Sequence, residues 1–265
     1  MRIGIGLVFA LVAMLSLLSS RQYNPITGQM RYVYLTTEQE VTLGRQAAPE
    51  MAGRFGGLDP DPQAQARVNR VGQRLLDDSR AEQSEYPFKF SLLADTETVN
   101  AFALPGGPVF VTRALFDRME TEGQLAGVLG HEVVHVLAQH SAEHIAEAQL
   151  TGGLTGAIVI ASYAPDRPNP AYAGQLGMLV GQMANMKFGR DDELQSDALG
   201  MQIMAEAGYD PRSMIRMMEI LRDSGGDDGP PEFFSTHPSP ENRIGRLQAA
   251  IEALYPDGVP GGLRP

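Results

Sequence analysis

Residues 131–135 read His-Glu-Val-Val-His, with helix-forming sequence on both sides. In a helix, residues four apart lie on one face, so His131 and His135 can present two imidazoles to one metal ion. Glu132 sits about 100° further round, within reach of a metal-bound water. Two neutral nitrogens and an adjacent carboxylate are the minimum set for water activated by zinc. Such a helix must be buried and packed tightly enough to hold its side chains still, which commits much of the chain to surrounding it. Gly127 and Gly130 fit that need: glycine costs about 1 kcal/mol in a helix interior, so two of them point to close packing.

A catalytic zinc site has three protein ligands and an open position. The chain has no cysteine, so the ligands must be His, Asp or Glu, and disulfides, a thiol nucleophile and a lipid-bearing cysteine are all excluded. The extended H-E-x-x-H-x-x-G-x-x-H pattern is absent. Glu193 is the best third ligand: Glu193 and Asp197 share a helix face at i,i+4, with Gly200 beyond them permitting close approach. One carboxylate on the metal and a second gripping a histidine N–H is a recurrent pairing. Asp191 and Asp192 read as a solvated acidic helix start. His140 and His144 fall on the motif helix beyond His135 and read as capping or surface groups.

The net charge of −11 argues against nucleic acid as a partner. Residues 3–18 are uncharged and mostly apolar, and a helix of that length spans about 24 Å, short of the roughly 30 Å hydrocarbon core. With Arg2 in front and Ser19-Ser20-Arg21 behind, residues 1–20 read as an export signal or as an uncleaved membrane tether, so the body is expected outside the cytoplasm.

Along the rest, 21–35 reads as an irregular, turn-rich leader and 36–255 as one domain, with 256–265 as a tail. Thr37-Glu38-Gln39-Glu40 reads as a capping box opening a helix to about Phe55. Asp61-Pro62 opens a second helix with Val68, Val71, Leu75 and Leu76 as its apolar stripe. Phe88, Phe90 and Leu92 alternate as in a strand. Residues 99–104 and 109–112 flank Pro105-Gly106-Gly107-Pro108 as a hairpin. Leu150–Ala164 reads as a packed helix, helical signal resumes near Gln175, and a further helix covers about Asp192–Ala207. Asp210-Pro211 opens a helix with Met214, Met217, Met218 and Leu221 as core filler. Residues 223–231 form an acidic Gly/Pro loop. Ser239-Pro240-Glu241 opens a last helix with Ile244, Leu247, Ile251 and Leu254 inward. Helices around one short strand cluster make a mostly helical α+β fold.

H-E-V-V-H followed about sixty residues later by R-D-D-E-L-Q-S-D-A-L-G resembles the HtpX, BepA and CAAX prenyl protease superfamily of zinc metallopeptidases, closest in layout to short BepA-like envelope proteases. The segments Asn100–Gly107, His237–Glu241 and Asn24–Gly28 match the same pattern. The resemblance implies a gluzincin-type domain holding one zinc ion on His131, His135 and Glu193, with Glu132 as general base. It implies that Asp197 orients His131, that Arg190 supports the carboxylates, and that His237 lies near the metal, either stabilising an oxyanion or filling the fourth position of a self-inhibited site. Asn100, Ala101, Phe102, Ala103 and Leu104 would be the edge strand on which an extended substrate pairs. The activity implied is hydrolysis of unfolded envelope proteins. The rival readings are a chaperone-like binder of unfolded chains with a latent zinc site, and a zinc hydrolase of a non-peptide substrate.

Overall fold

The motif segment becomes a helix buried on every side. In the computed structural model, which describes residues 21–32, 35–145, 170–225, 231–238 and 242–265, α4 runs over Glu122–Leu137, and all of Gly123–Leu137 is buried. Thr121 caps it, its Oγ1 accepting from the Gln124 N–H at 3.3 Å. A helix with no solvent face must be wrapped by other elements. Those elements are α2 (Pro62–Asp77), α6 (Arg190–Glu206), α7 (Arg212–Asp223) and two strands of a small sheet.

The tightest contact is between α4 and α6. A Cβ on Gly200 would lie 2.9 Å from the His131 backbone nitrogen, and one on Gly130 would lie 3.1 Å from the Gly200 carbonyl oxygen. The two helices therefore cross backbone against backbone, and the expectation from Gly127, Gly130 and Gly200 holds. Gly127 similarly abuts Met214 of α7.

The sheet has the order β3-β5-β4, with β3 at Lys89–Leu93, β4 at Ala101–Ala103 and β5 at Pro108–Thr112, which runs directly into the short α3 (Arg113–Phe116). β5 pairs antiparallel with β4 (Ala101 opposite Val111, Ala103 opposite Val109) and parallel with β3. Side chains alternate: Phe90, Leu92, Val109 and Val111 enter the main core with α4, while Leu93 and Phe110 enter a second core under α1 (Thr37–Arg54). In the turn, Gly106 has φ 76° and its missing Cβ would fall 2.3 Å from the Val41 Cα, so α1 rests directly on it.

Several boundaries differ from expectation. The leader is a hairpin, β1 at Arg21–Asn24 and β2 at Gln29–Tyr32. Its register is set by the turn rather than by a buried apolar face: Asn24 Oδ1 accepts from the N–H groups of Ile26 and Thr27, and Gly28 is left-handed. The capping box of α1 is Thr36 with Gln39, one residue early. A box on Thr37 would have needed Glu40, but Glu40 is buried and bonded elsewhere. Helix α5 (Pro170–Ala184) begins ahead of Gln175. The last helix, α9 (Arg243–Leu254), buries Leu247 and Ile251 and half-buries Ile244, but Leu254 is exposed. Met214, Met217, Met218 and Leu221 are core. Pro265 O accepts from Gly123 N at 2.8 Å, tying the last residue to the start of α4. The segment 3–18, the helix expected at 150–164, most of the 223–231 loop and residues 239–241 lie outside the described residues. Among those described, no helix is long and apolar enough to cross a membrane.

Glu40 carries a testable consequence. Its Oε1 accepts from Gln139 Nε2 at 2.6 Å and from the Tyr86 hydroxyl at 3.1 Å, and burial pushes its carboxyl up from about 4.5 to about 7. A folded value above the unfolded one means a contribution to stability that is whole below about pH 4.5 and lost as pH rises through about 7. Glu40→Gln should therefore stabilise the protein at pH 8, by up to the order of 3 kcal/mol, and change little at pH 5. Chemical denaturation at the two pH values reads the difference, and equal effects at both would refute it.

Candidate metal centre

His131 and His135, one turn apart on α4, meet Glu193 on the first turn of α6. His237 joins them from the end of a short helix, α8 (Glu232–Thr236). One atom from each of these four side chains lies within 4.8 Å of the others, and all four are buried. His135 Nε2 is 3.1 Å from His131 Nε2, and His237 Nδ1 is 2.9 Å from Glu193 Oε1. His131 Nε2 and His135 Nε2 lie 3.5 and 3.4 Å from the Glu193 carboxylate.

Around this cluster stands a layer of charge. Asp197, one turn beyond Glu193, faces His131 Nδ1 at 3.0 Å. A carboxylate can only accept, so Nδ1 carries a proton, and in the neutral ring Nε2 presents its lone pair to the cluster. Arg243 of α9 donates to both Asp197 oxygens, through Nε and, at 2.6 Å, Nη2, and its Nη1 is 3.2 Å from Glu193 Oε2. Arg190, expected to support these carboxylates, is the exposed first residue of α6, so the guanidinium in the network is that of Arg243. The sequence carried a signal for it: Arg243 stands on the i,i+4 stripe of Leu247 and Ile251, a charge where a core residue belongs.

His140 also departs from expectation. The motif helix stops at Leu137, Gln139 is left-handed at φ 61°, and a new helical segment begins at 140. That break turns His140 inward, fully buried, with its Nδ1 2.9 Å from His135 Nδ1. His144 does remain peripheral, its Nε2 2.9 Å from Asp192 Oδ2. Asp192 is half-buried rather than solvated, and also accepts from the Gly189 N–H at 3.1 Å. Asp191 is exposed. Phe188, which the sequence did not single out, packs its ring 4.0 Å from that of His135 and 5.0 Å from that of His237.

Burial opposes charge on His131, yet Glu193 and Asp197 hold its imidazole up at about 9. Burial drives His135 well down. Glu193 is held below the carboxylate range: burial alone would raise it, and His237 and His131 outweigh that. Burial raises Glu132, and both its oxygens are buried without a hydrogen-bond partner, Oε1 lying 3.6 Å from His237 Nε2. Buried lone pairs left open beside convergent imidazoles fit a divalent first-row cation and a polar ligand next to it.

Of the residues expected to bind substrate, Asn100, Phe102, Ala103 and Leu104 line a slot that reaches His237, and Ala101 is buried beside it. Asn100 O accepts from Thr112 N and Leu104 N donates to Pro108 O, so residues 100, 102 and 104 face β5. By the antiparallel alternation, the backbone groups of Ala101, which is buried, and of Ala103, which is half-buried, point to the edge of β4 where no further strand pairs among the described residues. The slot, of about 30 Å³, joins that edge to His237, with Phe102, Met183, Met186 and Phe188 among its walls.

The Arg243 network yields a prediction. Arg243→Leu would leave Asp197 and Glu193 buried without their counter-charge, a loss typically of about 3–5 kcal/mol. Urea denaturation of the metal-free protein should show it, and a change below about 1 kcal/mol would mean the carboxylates are not stabilised in this way.

Residues 62–251 match the sequence pattern of Peptidase family M48. The chain is 34% identical over 226 residues to the beta-barrel assembly-enhancing protease of Escherichia coli (strain K12), covering 84% of this chain and 46% of that protein. Identity to the Yersinia pestis protein of the same name is 32% over 244 residues, 91% of this chain and 49% of the relative. With the mitochondrial metalloendopeptidase OMA1 of Schizosaccharomyces pombe it is 30% over 231 residues, 86% and 65% of the two chains. The chain thus spans about half the length of the bacterial relatives it matches. Its helices, its buried histidine–carboxylate cluster and these likenesses agree: the chain belongs to peptidase family M48.

Proposed function

We propose that this chain is a zinc-dependent endopeptidase that cleaves extended, unfolded polypeptides. The observation that carries the reading is the unpartnered, buried Glu132 carboxylate beside the four-atom cluster, whose His237 is reached by a slot along β4, a strand with one edge unpaired among the described residues. His131, His135 and Glu193 would hold one zinc ion per chain, with Asp197 fixing His131 and Arg243 fixing both carboxylates. Bound there, zinc would lower the pKa of a coordinated water toward about 7 and polarise the scissile carbonyl. Glu132 would take the proton of the attacking water and return it to the leaving amine. Its raised pKa suits both halves of that cycle, because the carboxyl can hold the proton between the steps.

The substrate backbone would pair with Ala101 and Ala103, so recognition would lie largely in main-chain hydrogen bonds and sequence preference would be loose. The walls of the adjoining slot favour an apolar side chain next to the cleaved bond. Action in the bacterial envelope is supported by the export-like residues 1–20 and by relatives named for β-barrel assembly. The mitochondrial relatives carry the same kind of domain in another compartment, so the address rests on the amino-terminal segment.

Glu132→Gln should bind zinc as tightly as wild type and lose about 10²–10⁴-fold in casein cleavage, whereas Glu193→Ala should lose the metal as well. Metal content and cleavage of unfolded casein measure both. A chaperone-like binder with an inert site instead requires that wild type itself not cleave casein, which would end the protease reading, whereas unchanged cleavage in Glu132→Gln would end the role of Glu132 as base.

His237 stands where a fourth ligand would, with Phe233 stacked on its ring at 4.5 Å. We read it as a cap on the resting site. His237→Ala should then raise basal cleavage. A fall in cleavage at unchanged zinc content would make His237 a donor to the oxyanion instead.

A further inference from the structure

A chain of polar contacts leads from the cluster to the amino-terminal hairpin. His135 Nδ1 faces His140 Nδ1 at 2.9 Å. His140 Nε2 faces Gln195 Oε1 at 3.0 Å. Arg31, on β2, donates through Nη2 to the same Gln195 oxygen and through Nη1 to Glu143 Oε2 at 2.6 Å. The hairpin itself is anchored on the motif helix, where Asn24 Nδ2 donates to the carbonyl of Leu137 at 2.5 Å. His135 and His140 are fully buried, and Ser196 Oγ lies 3.4 Å from His140 Nδ1.

Donor and acceptor logic gives this chain a direction. An arginine has only donors, so it draws the oxygen of the Gln195 amide toward itself and keeps the NH2 end away. That oxygen is then also the atom facing His140, whose Nε2 must carry the proton. The neutral His140 ring can therefore only accept at Nδ1. His135 must donate there, and its own Nε2 is left with the lone pair. We propose that Arg31 and Gln195 are positioning residues that act through His140 to fix which nitrogen of His135 carries its proton, and so keep His135 Nε2 free to bind a metal ion. The hairpin is then part of the metal centre although it contributes no ligand to it. Outer hydrogen bonds of this kind commonly fix the tautomer of a metal-binding histidine.

One contact runs the other way. Arg31 Nη2 is also 2.9 Å from His140 Nε2. If that were the hydrogen bond made, His140 would be protonated at Nδ1, would donate to His135, and would force the proton onto His135 Nε2, against the metal. The Gln195 oxygen, lying against both donors, decides between the two arrangements.

The inference rests on the metal reading of the cluster, and the experiment separates the two. Long-range ¹H–¹⁵N correlation of the histidine rings in the zinc-free protein reads the tautomers without any variant: His140 should be the Nε2–H form and His135 the Nδ1–H form. Zinc affinity, measured by competition with a chelator, should fall about 10–100-fold in Gln195→Leu and in Arg31→Leu. It should stay near wild type in Gln195→Glu, which keeps an oxygen facing both donors. A merely structural role would lower the thermal stability of the metal-free variants and leave both tautomers as they were. His140 found as Nδ1–H, tighter zinc in Arg31→Leu, or unchanged zinc affinity in Gln195→Leu would each overturn the relay while wild-type zinc binding kept the metal reading. No zinc binding by wild type would overturn both.

Discussion

Everything at the cleft depends on one contact in which side chains are missing. Where α4 crosses α6, Gly130 and Gly200 bring the two backbones to about the separation of touching main-chain atoms. His131 follows Gly130 immediately, and Glu193 lies seven residues before Gly200, two turns along the same face. The glycine contact therefore acts as a pivot close to the cluster. Any side chain there would push the helices apart, and the 3.4–3.5 Å approach of the imidazoles to Glu193 would be the first distance to open. Two glycines inside helices are a local cost of about 1 kcal/mol each, tolerated because the geometry of four buried polar side chains follows from them.

Those side chains place the site against the stability of the fold. Three carboxylates, three imidazoles and one guanidinium share a volume closed to water. Only part of that charge is matched internally. Arg243 answers Asp197 and Glu193, Asp197 answers His131, and Glu132 is answered by no hydrogen bond at all. An apolar cluster of the same volume would fold more readily. A protein keeps such an arrangement where a ligand completes it, and local rules are broken where function demands it. The buried Glu40 next to Gln139 follows the same pattern at the far end of the motif helix, where the left-handed Gln139 breaks the helix and turns His140 back toward His135.

How much of this could be read from the sequence divides by the range of the interaction. The motif helix, the α6 pair Glu193 and Asp197, the Pro105–Pro108 turn and the methionine-filled α7 follow from local periodicity and from residues with one backbone preference, and they were legible. The hairpin at 21–32 was not, because its strands bury no apolar face, Tyr23 and Met30 being paired but exposed, and they join through a turn whose capping depends on the Asn24 side chain. His140 was misread because the helix was expected to continue, and the break at Gln139 is fixed by tertiary contacts of that residue with Glu40 and Tyr86. Arg190 was named through its place just before the acidic run that holds Glu193, and Arg243 was not considered. Space decided otherwise, since the first residue of α6 points to solvent while α9 packs beside the carboxylates.

The cleft is mechanically uneven. Three members of the cluster sit on long helices locked by the glycine crossing, whereas His237 ends a helix of five residues. What holds that short helix is Phe233, buried against the His131 and His237 rings, and two backbone bonds: Phe233 N to Val99 O at 3.2 Å, and Phe188 N to Thr236 O at 3.0 Å. Val99 immediately precedes the residues that form the open strand edge, and Phe188 walls the slot beside it. The element that places His237 is thus bonded to both sides of the cleft that an extended chain would enter. A strand paired along Ala101 and Ala103 would load the same backbone that fixes α8, so occupation of the edge and the position of His237 draw on shared contacts rather than independent ones.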